Sequence, residues 1–513
     1  MKQDISEKDW NYIQKHGLSV EEINRQLKII NEGLPPVQII KPAVLNDGII
    51  HLEKKQEEDL LLFFEENKKQ FLLQKFVPAS GAATRMFKDW IFFHNHYQPG
   101  KDYYERFVKK HHLKMFEELE DFLDEFPSFP FYEEVLEIIK NNQPDFFQLD
   151  ENEQVWEYIH YVLSDDGLGY HFLPKALLIF HRYSQNEKRT ALEEHLSEFL
   201  NYSVSHKGKL HFTVLPQHVT HFQNLLKKLK EKYPVEVDLS FQKPETDTIM
   251  LYLNTGEIVR DKNDNIVFRP GGHGSLIENI QDLEADIIFI NNIDNVQKGE
   301  RQELTIRYKK ILAAYLMQTK NKIDNYLIQL ENEKPIGSDL KEIEDFAYNN
   351  LNIRFIDGYD TLNNSGKRKY LFYKLNRPVR IAGVVKNTGE PGGGPFWVKN
   401  KNGLASLQIV EKTQIDIKTQ KEILEQATHF NPVNLVVNIK DYQNKKFNLK
   451  EFINEEAGLV TEKNFEGKPV KVYERPGLWN GAMDNWNTIF IEVPLETFTP
   501  VKTVYDLLKP EHQ

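Results

Sequence analysis

The sequence predicts an α/β fold built on a largely parallel sheet, with helices at its N-terminal end and inserted into its length. Two observations carry that prediction. Strand-like stretches at residues 210–216, 235–241, 285–292, 379–385, 434–439 and 488–494 alternate with helical ones, and such alternation builds parallel sheets. Several are unbroken apolar runs, such as Ile287 to Ile290, which suit strands buried on both faces. At 513 residues the chain is longer than one core usually grows, so two or three structural units are expected.

Taken in order, residues 1–72 read as a helical region. Ser19 is placed to cap the segment VEEINRQLKIINEG, with Glu22 three residues later and Gly33 as its stop. Residues 57–69 read as a second helix. Residues 73–440 form the α/β core, opening with a short apolar strand (Lys75 to Val77) that runs through small residues into a helix. Helical insertions are expected at about 90–165, where Phe116, Leu119, Phe122 and Leu123 fall at helical spacing, and at 300–350, where Leu304, Ile311, Leu312, Tyr315 and Leu316 share a face. Residues 218–232 read as a helix between strands. Residues 441–513 form a C-terminal segment that completes the site.

Composition excludes several classes. The chain is 40% apolar with mean hydropathy −0.56, and no run approaches the roughly 20 apolar residues of a membrane span. MKQDISEKDW lacks the apolar core of a secretory signal, so a cytoplasmic protein with no membrane partner is expected. The absence of cysteine excludes disulfides, thiolate catalysis and Cys-ligated zinc. A net charge of −12 with only short basic runs speaks against nucleic acid as a partner. Any anionic ligand must be held by a few placed cations rather than by the global field.

Six stretches carry chemistry. In PASGAATRMFK, residues 78–88, Ser80, Gly81, Ala82 and Ala83 let backbone N–H groups approach an anion, and Arg85 and Lys88 add positive charge. The same stretch also suits a turn that packs a helix on a strand. It lacks the Gly-Lys-Ser/Thr ending of a P-loop. Pro174-Lys175 stands before a strand-like run; a lysine there is also commonly just solvated. FRPGGHGSLIENI, residues 268–280, opens the backbone around His273. FINNIDNV, residues 289–296, puts Asp294 at the carboxyl end of a buried strand, where ligands of open α/β sheets bind. A carboxylate there suits phosphate-borne Mg²⁺, or caps the next helix. EPGGGPFWV, residues 390–398, reads as a binding turn or a tight loop, with THFNPVNLV at 428–436. Residues 474–508 are rich in Gly, Trp and Asn and place Lys502 after Pro500-Val501. His94, His96, His111 and His112 lack nearby acids at ligand spacing and read as ordinary histidines.

Together and in this order, these segments resemble the UDP-sugar pyrophosphorylases. Ser80 to Met86 is similar to their Gly-rich Thr-Arg-Met loop, Pro174-Lys175 to their Pro-Lys motif, and Phe241 to Pro244 to their strand ending in Gln and Pro. Pro270 to Gly274 resembles their Pro-x-Gly-His-Gly motif, Asn292 to Asn295 their Asn-x-Asp-Asn metal strand, and Phe498 to Leu508 their C-terminal Phe-x-Pro-Val-Lys-x-x-x-Asp-Leu-Leu. The whole chain is also similar to a bacterial family known as a domain of unknown function, with hallmarks PASGAATRMFK, FRPGGHG, NNIDNV and EPGGGPFWV. Ser80 and Ala83 depart from the loop pattern by replacing glycines, and Ala adopts positive φ less cheaply than Gly.

The resemblance implies a Rossmann-like GT-A nucleotidyltransferase core with a mixed, mostly parallel sheet. It also implies a reaction between a nucleoside triphosphate and a sugar-1-phosphate, with Mg²⁺, to give a nucleotide-sugar (a UDP-sugar favoured) and pyrophosphate. On that footing Arg85 holds the leaving phosphates, and Lys175 and Lys502 flank the reacting ones. Ser80, Gly81 and Ala82 cradle substrate, and Gln242, Gly272, His273 and Gly274 line the base and ribose pocket. Asp294 takes the metal, and Asn434 and Glu411 contact the sugar. A non-catalytic nucleotide-sugar sensor on the same fold is the alternative. A glycosyltransferase fits less well, because the metal stretch reads Asn292-Ile293-Asp294, and a helical scaffold with a relic sheet is the remaining reading.

Overall fold

The computed structural model describes residues 5–204, 208–332, 337–389, 392–400 and 403–513. The chain divides into two compact units. One comprises residues 1–76, 240–290 and 308–495; the other comprises residues 77–239, 291–307 and 496–513.

The first unit holds a mixed, mostly parallel sheet. Its strands follow the order Val44–Leu45, Gly48–Ile50, Asn487–Glu492, Val379–Lys386, His429–Asn438, Ile287–Asn291 and Leu73–Pro78. Val379–Lys386 runs parallel to Asn487–Glu492 and antiparallel to His429–Asn438, and Ile287–Asn291 runs parallel to Leu73–Pro78. All five residues of Ile287–Asn291 are buried, as the apolar run requires of a strand covered on both faces. Phe76, Ile288, Ile290, Ala382, Leu435 and Phe490 meet in one core.

Two smaller antiparallel sheets complete this unit. One runs Phe268–Arg269, Thr248–Tyr252, Lys468–Glu474, Leu459–Phe465. The helices Glu7–Lys15 and Val20–Glu32 cover it through Ile13, Ile23 and Ile30. Ser19 caps the second helix, its hydroxyl accepting from Glu22 N–H at 3.1 Å, and Gly33 ends it at φ 79°. The other sheet is Ile39–Pro42, Gly393–Lys399, Ala405–Glu411.

Three local expectations change. The N-terminal region read as helical also carries the strands Ile39–Pro42, Val44–Leu45 and Gly48–Ile50. EPGGGPFWV is mainly strand rather than turn: Gly393 and Gly394 lie in it, and a Cβ on Gly393 would sit 2.8 Å from Ile409, so the glycines serve close strand packing. Glu390 and Pro391 lie outside the described residues. The helix expected directly after the small-residue loop begins only at Lys88, behind a 3-10 turn at Ala83–Arg85. The reason is local: Ala83 N–H donates to Leu173 O at 3.2 Å, and Ala82 stays extended at φ −63°, ψ 148°.

The second unit contains the helices Lys88–His96, Tyr104–His111, Leu119–Glu125, Tyr132–Asn142 and Glu151–Leu163, in the stretch read as a helical insertion. Its aromatic residues are the core. Trp90 is fully buried, lies edge-on to Phe129 and Tyr158, and donates its indole N–H to Tyr505 OH at 2.6 Å. The helix Ala191–Leu200 buries Glu194 against His181 (2.8 Å) and Tyr183 OH (2.9 Å). These partners satisfy a carboxylate that burial alone would make costly.

Candidate functional site

In the second unit four distant stretches are sewn together by backbone hydrogen bonds. The loop after Pro78 pairs with residues 173–175: Ala82 bridges Pro174, and Lys175 N–H donates to Gly81 O at 3.4 Å. Val504 N–H donates to Met86 O at 3.1 Å, and Val501 N–H to Asp294 O at 3.0 Å. Asn295 bridges Pro500 and accepts Thr499 N–H on its side-chain oxygen at 2.9 Å. The loop, the Pro-Lys pair, the strand-end Asp and the C-terminal lysine thus become neighbours.

At their meeting point Lys175 Nζ and Lys502 Nζ both donate to Asp294 Oδ2, each at 3.0 Å. Lys175 Nζ also donates to Val501 O at 2.7 Å. The Asp294 side chain is 10% exposed, Lys175 12% and Lys502 54%, so Lys502 faces solvent. Burial pushes the Asp294 carboxyl up, but the two ammonium groups outweigh it and hold the carboxyl below its ordinary range. Burial lowers the Lys175 ammonium; Asp294 opposes that shift and Lys502 reinforces it, leaving Lys175 below a free lysine.

The loop beside this trio is built to be approached. Gly81, Ala82 and Arg85 are exposed, and nothing lies within 4 Å of where a Gly81 Cβ would be. Arg85 makes no ion pair among the described residues. None of residues 80–83 has a positive φ, so Ser80 and Ala83 replace glycines at positions that any residue can occupy.

Asp506 was assigned no role by its spacing, yet it fixes the lysine loop. Its Oδ2 accepts Lys502 N–H at 2.8 Å and Thr503 N–H at 2.6 Å. It is the third residue of the 3-10 helix Val504–Leu508, closed by a Thr503–Asp506 capping box.

The first unit gathers a different set. Gly272 takes φ 87°, and His273 stacks on Trp479 with centroids 4.4 Å apart and planes at 15°. His273 Nδ1 accepts Leu478 N–H at 3.0 Å. Because a backbone N–H can only donate, a neutral ring carries its proton on Nε2, which faces Glu411 Oε1 at 3.5 Å. Asn480 Nδ2 donates to the same Glu411 oxygen at 3.1 Å and to Gln414 Oε1 at 3.0 Å. Gly274 allows Pro476 O to approach: a Cβ there would stand 1.8 Å from it. Gln242 faces Asp247 instead, at 3.4 Å. Asn434 lies buried in the strand His429–Asn438 opposite Gly383. Trp479 and Asn480 were visible only as part of a Trp- and Asn-rich stretch.

Among the described residues there is no cluster of three or more His, Asp or Glu able to hold a metal ion. One buried carboxylate still fits Mg²⁺, which is commonly held by one or two carboxylates plus substrate phosphates. Among the described residues no helix is long and apolar enough to cross a membrane.

The profile of the family described as Domain of unknown function (DUF4301) matches residues 6–513. No curated protein matches the sequence. Among solved structures, the chain is similar to a UDP-glucose pyrophosphorylase variant from Leishmania major in complex with UDP-glucose, with 12% identity, TM-score 0.42, and 98% of this chain and 79% of that one covered. It is also similar to the uridine diphosphate N-acetylglucosamine pyrophosphorylase from Trypanosoma brucei in complex with an inhibitor (11%, 0.45, 95% and 74%). A UDP-glucose phosphorylase from Trypanosoma brucei gives 12%, 0.45, 97% and 76%.

Proposed function

The chain belongs to the family described as Domain of unknown function (DUF4301), and from that premise we propose that it is a sugar-1-phosphate nucleotidyltransferase. It would join a nucleoside triphosphate, UTP favoured, to a sugar-1-phosphate and release pyrophosphate. The observation that carries this reading is the convergence of Lys175 and Lys502 on one buried carboxylate, beside an open loop with an unpaired arginine.

Arg85, Lys175 and Lys502 against Asp294 and Asp506 leave a local excess of positive charge in a chain whose net charge is −12. Such a site suits a polyanion and needs neither a covalent intermediate nor a strong base. A sugar-phosphate oxygen attacks the α-phosphorus, the bond from that phosphorus to the bridging oxygen breaks, and the electron pair leaves with pyrophosphate. Catalysis is then positioning plus charge stabilisation. Lys502, the more exposed of the two lysines, meets the incoming phosphates. Lys175, held by Val501 O, stays fixed where charge develops. Arg85 holds the leaving phosphates, and the exposed backbone of residues 80–82 cradles them. Asp294 would hold Mg²⁺ together with those phosphates; the ion would neutralise charge on the triphosphate.

The test is pyrophosphate release from the purified chain with Mg²⁺, each of four ribonucleoside triphosphates and a panel of sugar-1-phosphates. Release that requires both substrates, and falls about 10²–10³-fold in Lys502→Ala, supports the enzyme. No release, with UDP-sugars still raising the melting temperature, would replace it by a nucleotide-sugar sensor.

A further inference from the structure

The first unit contains a cavity that the reading above does not use. Its volume is about 140 Å³, and its lining includes Arg354, Lys374, Arg377, Gln408, Asp484 and Trp486. It sits at the amino ends of the parallel strands Val379–Lys386 and Asn487–Glu492, which begin side by side at Val379 and Asn487. Ligands of open α/β sheets bind at the opposite, carboxyl ends.

Its cations are held in place without carboxylate hydrogen-bond partners among the described residues. The Arg354 guanidinium lies 4.4 Å from the ring centroids of both Tyr348 and Trp397. Arg377 lies 4.8 Å from the Tyr373 ring and donates to Tyr373 O at 3.3 Å and Asn485 O at 3.5 Å. Lys374 lies 5.4 Å from the Tyr370 ring. Asp484 is the opposing carboxylate of the lining, and its charge is shared with buried Arg380 as well as Arg377. Gln408 is fully committed: it accepts from Arg380 and donates to Ser406 and to Asp484 O. One buried donor in the lining stays unused. Trp486 is 4% exposed, and its indole N–H has no acceptor among the described residues. Preorganised cations lining a polar cavity are what a tetrahedral oxyanion requires.

We propose that this cavity is a second anion site, which takes the phosphate group of a small phosphorylated molecule through Arg354, Lys374 and Arg377. Lys374 gives the site a signature. Burial and the neighbouring Arg377 lower its ammonium to about 8. The charged groups around it are Arg377, Arg354 and Asp484, with the phenols of Tyr370 and Tyr373. The site is therefore fully cationic below that pH and weakens above it.

The experiment titrates inorganic phosphate, sulfate and glycerol phosphate into full-length Arg85→Ala/Lys175→Ala/Lys502→Ala, so that the cations of the proposed catalytic centre are absent and the two readings fail separately. Saturable binding is expected with Kd below about 1 mM at pH 7, weakened at least tenfold in Arg377→Gln. Tighter binding of the ester identifies phosphomonoesters as the ligand class; equal affinity identifies free phosphate. Sulfate keeps its charge across the range, so its affinity should fall from pH 7 to pH 9, and Lys374→Arg should abolish that fall. Binding weaker than about 10 mM, meaning an adventitious ion only, overturns the proposal. So does binding unchanged in Lys374→Gln, a half-buried position that remains informative if Arg377→Gln does not fold.

Discussion

Lys175 and Lys502, 327 positions apart in sequence, donate to the same atom, Asp294 Oδ2, at the same distance of 3.0 Å. Two ammonium groups that would repel one another are held together by one carboxylate, so each of the three charges depends on the other two.

Asp294→Asn is therefore expected to cost about 3 kcal/mol, the usual price of stranding a buried charge, measured by urea unfolding. Lys175→Met/Asp294→Asn should recover much of it, because the buried ammonium is then gone. The pH dependence follows from the lowered carboxyl. The contribution of Asp294 is complete above about pH 4, where an unfolded Asp ionises, and is lost as pH falls through the lower folded value. Unfolding of the Asn variant should show less acid dependence.

Turnover should fall on the alkaline side earlier than an ordinary lysine would dictate. Lys175 carries a lowered value, so its proton leaves as pH rises through that value and the charge at the reacting phosphates goes with it. Lys175→Arg, whose guanidinium does not titrate in this range, should move the alkaline limb upward even where its kcat is lower. An unmoved limb would show that Lys175 is not the titrating group.

Asp506→Asn should lower kcat about tenfold with a smaller effect on KM, because Asp506 acts through the backbone of Lys502 rather than on substrate. The loss of a charged capping acceptor should also cost about 1 kcal/mol. Equal effects on kcat and on thermal stability in Thr503→Ala, which loses only the hydroxyl side of the capping box, would reduce Asp506 to a structural cap.

Gly81→Ala should leave the unfolding midpoint within about 0.5 kcal/mol of the parent, since its φ is not positive and a Cβ meets open space. On the proposed function nucleotide affinity should nonetheless drop, because the added methyl would stand where phosphate oxygens approach the backbone. Unchanged affinity, measured by calorimetry, would remove the loop from the binding site.

Residue pattern made the large sheet legible because strands such as Ile287–Asn291 are buried throughout, leaving an unbroken apolar signal. Gly48–Ile50 was not legible: three residues are too few for a period, and its place is set by pairing with Asn487–Glu492 hundreds of positions away. The same holds at the sites. Lys175, Asp294 and Lys502 could be named from motif order, but that both lysines donate to one oxygen of Asp294 could not. The stacking of His273 on Trp479 and the pinning of Lys502 by Asp506 are products of tertiary contact. The anion cavity left no motif, since Arg354 and the neighbouring pair Lys374 and Arg377 come from two surface-like stretches and acquire meaning only through the rings beneath them.

The contact between Gly274 and the Pro476 carbonyl bears on how this family can diverge. Every missense change at a glycine codon yields a residue with a Cβ, and here that atom would overlap an oxygen 1.8 Å away. In a saturation library scored for folded protein, position 274 should retain glycine alone, while neighbouring Gly272, whose Cβ would meet only Glu474 at 3.8 Å, tolerates asparagine best. Lineages that diverge here would have to do so around this fixed point, by exchanging Trp479, Asn480 or Glu411 rather than the glycine beside His273.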